Sequence, residues 1–175
     1  MLAEEIVVAA EDPRSPEAAL LMNELSACLQ AITGDGGQNS FNVEDVCVPR
    51  SLFAIARNPK GEAVGCGAFR PMDEKTAEIK RMYVREKSSG VGTKLLAFLE
   101  RQARAMGYKV FRLETRLVNQ GAVAFYERNG YQRISNYGRY QGRAEAVCFE
   151  KRLDIGNNAI GAAHMPNPGT GQPLS

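Results

Sequence analysis

TAEIKRMYVREKSSGVGTKLLAFLERQARAM, Thr76 to Met106, is the stretch whose reading decides the fold. Its first part, Thr76 to Val84, reads as a strand crossing a core. Further on, Leu95, Leu96, Leu99, Ala103 and Met106 recur at helical spacing, which puts one apolar stripe against a sheet. Between them lies Lys87-Ser88-Ser89-Gly90-Val91-Gly92, a glycine turn opening the helix. Such a turn directs unpaired backbone N–H groups outward at the positive end of the helix dipole, and glycines let an anion approach that backbone closely. The physics suggests a phosphate cradle. Two better-known cradles do not fit. The P-loop needs G-x-x-x-x-G-K-[ST], and Gly90-Val91-Gly92-Thr93-Lys94 lacks the first glycine and the Lys-Ser/Thr order; the dinucleotide fingerprint needs a third glycine where Leu95 stands. Taken alone, the turn is equally an ordinary helix entry.

Outward from this stretch, the chain alternates short apolar runs with turn signals. Glu5 to Ala10 predicts a first strand. Pro16 suits the first turn of a helix running to about Ile32, with Leu21, Leu25, Cys28, Leu29 and Ile32 on one face. Gly34-Asp35-Gly36-Gly37-Gln38-Asn39-Ser40 breaks it. Leu52 to Arg57 and Ala63 to Arg70, joined by Asn58-Pro59-Lys60-Gly61, predict an antiparallel hairpin, and Asp73-Glu74-Lys75 turns the chain into Thr76. Gly107 stops the long helix, Lys109 to Thr115 supplies the next strand, and Tyr131 to Ile134 with Glu145 to Leu153 complete the sheet. The fold class is therefore α/β (mixed α+β), a sheet with helices on both faces.

Composition narrows the function. The 175 residues suit one domain with a single core, and 44% hydrophobic with 24% charged residues is the balance of a soluble globular protein. A net charge of +2 without a basic stripe gives no support for a nucleic-acid partner. No apolar run approaches the ~20 residues of a membrane span and the start lacks a secretion signal, so a cytoplasmic location is expected. Cys28, Cys47, Cys66 and Cys148 form no C-x-x-C pair; neither a metal site nor a redox motif is expected, and buried reduced thiols are. The single histidine, His164, lies in a Gly, Asn and Pro-rich segment, 155–175, expected to be a mobile tail after a domain spanning 1–154. A His-based triad is thereby excluded.

Roughly 30 residues beyond the glycine turn comes Asn119-Gln120-Gly121-Ala122-Val123-Ala124-Phe125-Tyr126-Glu127-Arg128-Asn129-Gly130-Tyr131. This resembles the second signature, N-x-x-A-x-x-x-Y-E-x-x-G-F/Y, of the GNAT (GCN5-related N-acetyltransferase) superfamily. Lys87 to Gly92 resembles that family's Q/R-x-x-G-x-G/A pyrophosphate loop, with Lys87 where Arg or Gln is usual. The likeness covers about Val64 to Leu153. It implies a GNAT fold, a mostly antiparallel sheet of about six to seven strands flanked by helices. It also implies acetyl-CoA as co-substrate, no metal, a small-molecule amine as acceptor, and often a homodimer.

The resemblance also assigns roles. The backbone of Met82, Tyr83 and Val84 would pair with the pantetheine arm, and Lys87, Ser88, Ser89, Gly90, Val91, Gly92 and Thr93 would hold the pyrophosphate. A lysine at position 87 lacks the fork geometry of arginine. Tyr126 is the candidate acid: a phenol near pKa 10 can return a proton to a thiolate whose acid has a pKa of about 8.5. On spacing alone Tyr126 is also a core aromatic. Asn119 is a helix cap, a cofactor contact, or both. Glu78 is preferred as the base, with Glu114 as the alternative, either acting through water. The loop from Gly34 to about Pro49 is placed over the acceptor site, and Tyr137, Arg139 and Tyr140 could line it, Arg139 either facing a substrate carboxylate or standing as an exposed hairpin arginine. The expected reaction is direct N-acetyl transfer in a ternary complex, because no cysteine sits in a motif for an acyl-enzyme. The alternatives are an acyl-CoA-binding regulatory module without turnover and an enzyme for a longer acyl-CoA.

Overall fold

The computed structural model describes residues 5–85, 90–154 and 174. The elements run β1 (Val7–Ala10), α1 (Pro16–Thr33), β2 (Leu52–Arg57), β3 (Ala63–Pro71), β4 (Thr76–Val84), α2 (Val91–Ala105), β5 (Val110–Arg116), α3 (Gln120–Arg128), β6 (Gln132–Ile134) and β7 (Ala146–Arg152). Short 3-10 turns lie at Gln38–Ser40, Val43–Val46 and Gly138–Tyr140. Ser15 starts α1 by accepting the Ala18 N–H, with Pro16 in the first turn where its missing N–H costs nothing. Ala18, Leu21, Leu25 and Leu29 are buried on one face of α1. Ile32, expected to join them, is 41% exposed, while its neighbours Leu29 and Thr33 line a cavity.

The sheet has seven strands in the order β1-β2-β3-β4-β5-β7-β6, antiparallel except for the β4–β5 pair. A parallel pair needs a crossover, and α2 supplies it. Side chains alternate between two cores. On β2, Leu52, Ala54 and Ala56 join the cluster under α2 and α3, whereas Phe53 and Ile55 join the one under α1. Helices therefore cover both faces, as the sequence predicts.

β4 breaks that alternation. Ala77 and Ile79 belong to the α2/α3 core, and so do Met82 and Val84, one residue out of phase. Between them Arg81 has φ 57°, and the pairing with β3 slips between Cys66 and Ala68. This is a β-bulge, which adds a residue to one strand and bends it. Arg81 is held in that disfavoured conformation by its own guanidinium, which donates to the Met22 carbonyl at 2.8 Å and to Ser26 Oγ at 2.6 Å on α1.

Past the bulge, β4 and β5 part. Their pairing covers only Thr76–Glu78 with Val110–Arg112, although β4 runs on to Val84 and β5 to Arg116. β5 turns to β7 on its other side and pairs with it along its whole length. The β4 edge beyond Glu78 consequently borders a gap.

Of the four cysteines, Cys66 and Cys148 are buried, Cys28 is half-buried and Cys47 is exposed; none is paired. Cys47, the one outside a helix or strand, ends the 3-10 turn at Val43–Val46. The expected mobile tail lies outside the described residues except for Leu174.

Candidate active site

Two sides of the gap carry different chemistry. On the α2/α3 side, the Met82 carbonyl accepts a hydrogen bond from the Leu174 N–H at 2.9 Å. That carbonyl points into the gap and not at β5. The Leu174 side chain is buried in the same cluster as Met82, Val91, Phe125 and Tyr126.

At the end of the gap α2 begins. Gly90 precedes it with φ 89°, a conformation that favours glycine, and the first helical bond runs from the Lys94 N–H to the Gly90 carbonyl at 3.0 Å. The N–H groups of Val91, Gly92 and Thr93 thus have no carbonyl within the helix, and Gly90 offers no side chain to cap them. Gly92 has a packing reason of its own: a Cβ there would lie 3.1 Å from the Phe125 ring and 3.4 Å from Leu174. Lys87, Ser88 and Ser89, the remaining predicted phosphate contacts, lie outside the described residues.

Tyr126 is fully buried in α3, its ring 5.1 Å from Phe125 and 5.5 Å from Tyr131, both edge-on. Asn119 is the N-cap of α3, its Oδ1 accepting the Ala122 N–H at 3.3 Å. The capping role is therefore present. Tyr83 is buried on the opposite, α1 face, so any part it takes in the gap is played by its backbone.

On the α1 side lies a cavity walled by the end of α1, the loop after it, β4, β5 and the turn at Gly138–Tyr140. Asp35, Gly37, Asn39 and Ser40 bring the predicted loop to this cavity. Arg139 and Tyr140 line it, as the sequence suggests, whereas Tyr137 turns away and donates to Glu78 Oε2 at 2.6 Å. Burial and the Glu78 charge push the Tyr137 phenol well above its ordinary pKa, which keeps it a donor.

The two candidate bases differ sharply. Glu78 is 4% exposed, and both its oxygens are engaged: Oε1 accepts from Arg70 Nε at 2.9 Å, and Oε2 from Tyr137. Arg70 continues to Asp45 at 2.6 Å, so Glu78 clasps the acceptor loop to the sheet. Glu114 does line the cavity. With Phe111 and Leu113 facing the α2/α3 core, alternation on β5 sends Glu114 to the α1 face. Its Oε1 is buried without a hydrogen-bond donor among the described residues, Arg116 Nε standing 3.6 Å away. Burial raises the Glu114 pKa above the ordinary carboxylate range, with Lys80 and Arg116 pulling the other way.

Tyr126, buried in the α2/α3 core, and Glu114, in the wall of the cavity on the α1 side, thus stand on opposite faces of the sheet. Sequence reasoning did not find Lys80, Arg116 or Arg143 in the cavity wall. Strand alternation could have revealed Arg116 two residues from Glu114 and Lys80 two residues from Glu78, but nothing local marks Arg143. Among the described residues, no group of three or more His, Cys, Asp or Glu side chains is gathered as a metal centre would need, and no helix is long and apolar enough to cross a membrane.

Residues 20–131 match the model of the acetyltransferase (GNAT) family. The chain is 28% identical to an IAA acetyltransferase of Azospirillum brasilense over 151 residues, 85% of this chain and 98% of that protein. A solved structure from Klebsiella pneumoniae, described as an acyl-CoA N-acyltransferase, superimposes with a TM-score of 0.72 at 31% identity, over 85% of this chain and 97% of that one. A GNAT family acetyltransferase of Elizabethkingia anophelis, solved with acetyl-CoA bound, shares the fold at a TM-score of 0.62 and 17% identity, over 84% of this chain and 97% of its own.

Proposed function

Because the chain belongs to the GNAT acetyltransferase family, we propose that it transfers the acetyl group of acetyl-CoA directly to a primary amine of a small molecule. The observation that carries this reading is the open β4 edge beyond Glu78, which leads from the acceptor cavity towards the start of α2. The residues present suit the cofactor. The Met82 carbonyl already accepts an amide N–H from outside the sheet, and the first amides of α2 meet the need of a diphosphate for donors.

Acetyl-CoA supplies the activated thioester. Backbone groups of Met82 and Val84 would hold the pantetheine arm, and the amides of Val91, Gly92 and Thr93 would hold the diphosphate. Glu114, preferred here over Glu78 because its oxygen is not already engaged, takes a proton from the amine through water. As the N–C bond forms the C–S bond breaks, and Tyr126 gives its proton to the departing sulfur. Direct transfer is favoured over an acyl-enzyme. Burial pushes the Cys66 thiol up to about 12 and raises that of Cys148, and neither lines the cavity.

The test is release of free thiol from acetyl-CoA across a panel of amines. Binding of the cofactor with no release from any amine would replace this reading with that of a sensing module. Tyr126→Phe is expected to lower kcat by about 10²-fold with little change in acetyl-CoA affinity. A full-speed Phe variant would show that water or another group protonates the sulfur.

A further inference from the structure

The cavity on the α1 face holds an excess of positive charge. Lys80, Arg81, Arg116, Arg139 and Arg143 line it against two carboxylates, Asp35 and Glu114. Both carboxylates face the same cation, Arg116, at 3.1 and 3.6 Å. No carboxylate of the described residues lies at ion-pair distance from the other four. Arg81 spends its guanidinium on α1, as described above. Lys80 is different: it is 7% exposed, and its ammonium donates to the Tyr140 hydroxyl at 3.0 Å. An ammonium has three donors and a hydroxyl oxygen satisfies one, so this buried lysine, which burial pushes towards its neutral form against the pull of Glu78 and Glu114, has donors to spare for an anion. Arg139 donates to the Asn39 carbonyl at 2.8 Å, which steadies it at the rim with most of its fork unspent.

We propose that the acceptor amine carries a carboxylate, as an α-amino acid does, with the carboxylate held by Lys80 and Arg139 and the amine turned to Glu114. This rests on the acetyl-transfer reading above and narrows it. A carboxylate supplies the charge that the wall lacks, and a guanidinium can bind it through two parallel hydrogen bonds. A polycationic amine would meet like charge from four side chains. Glu114, whose Oε1 accepts no hydrogen bond from the described residues, lines the same cavity as Lys80, which suits a ligand that carries both charges.

The experiment compares L-amino acids with their α-amides and with spermidine, by thiol release from acetyl-CoA and separately by calorimetry with CoA present. Free acids are expected to exceed their amides by about 50-fold or more in kcat/KM, chiefly through KM. Lys80→Met should bring the ratio of acid to amide close to one. Arg139→Ala, at an exposed position that does not challenge the fold, should lower that ratio about tenfold. Thiol release that favours amides or spermidine would overturn the proposal and leave acetyl transfer standing. If no amine releases thiol but acids still bind more tightly than amides, in a manner dependent on Lys80, the carboxylate site stands as a ligand site and the transfer reading falls, and with it the acceptor role. Equal binding of acids and amides would overturn it outright.

Discussion

Gly90→Glu is expected to abolish acetyl-CoA binding while the protein still folds. Nothing lies within 4 Å of a Cβ built at Gly90, so the substitution creates no clash; what it introduces is backbone strain at φ 89° and a negative charge at the start of α2. The strain costs about 1–2 kcal/mol, a fall in Tm of several degrees for a chain of this size. The charge costs more. Like charges ~4 Å apart at an effective dielectric constant of about 20 repel by about 4 kcal/mol, close to three orders of magnitude in Kd. Gly90→Ala separates the two effects, since it carries the strain without the charge and should retain most of the affinity. Calorimetric titration with acetyl-CoA, alongside thermal unfolding, reads both. Undiminished affinity in the Glu variant would remove the diphosphate from the start of α2.

Glu114→Gln should produce an enzyme that is slower and more stable. Loss of the base should lower kcat by about 10²- to 10³-fold, because general base catalysis contributes on that scale. The stability effect follows from the raised pKa. Folding lifts the Glu114 pKa above its unfolded value near 4.3, so between the two values the folded state holds a proton that the unfolded state has released. Stability conferred by that proton is complete below the unfolded pKa and is lost as pH rises through the folded one. Glutamine never ionises, so the variant should gain on the wild type above that window and match it below. The wild-type kcat/KM should rise with pH through the same window, and the variant should lack that limb. Glu78→Gln makes the contrast. It leaves Arg70 without its buried partner and should destabilise by about 3 kcal/mol while affecting chemistry less directly. Thermal unfolding and rate profiles between about pH 4 and 9 compare the three proteins. A Glu114 variant at full rate beside an inactive Glu78 variant would return the base to Glu78.

Much of the architecture was legible because it rests on periodic patterns. Leu95, Leu96, Leu99 and Ala103 are buried as their spacing requires, and β4 spans Thr76–Val84 as the apolar run predicts. What sequence could not yield were features produced by several strands acting together. The bulge at Arg81 depends on how β3 pairs across from it, and only the bulge puts Met82 on the face opposite Lys80. Glu78 and Glu114 were indistinguishable as residue types. Their separation comes from Arg70 and Tyr137, which converge on Glu78 from eight residues before it in one case and from beyond α3 in the other. Long-range partners of that kind leave no local signature. Gly92 shows the converse, a motif position read as ligand-directed that also carries the contact with Phe125.

Leu174 gives the cofactor a rival. Under the proposed placement of pantetheine, the amide that reaches the Met82 carbonyl and the side chain packed beside Gly92 hold ground the cofactor must take. The affinity measured at the bench is then a net value, lessened by the work of evicting a buried leucine, about 1.5–3 kcal/mol. Leu174→Gly should accordingly tighten acetyl-CoA binding by roughly tenfold without touching any group that contacts it in the complex. Such a chain would compete with its own ligand through one residue far along the sequence from the glycine motif it packs beside.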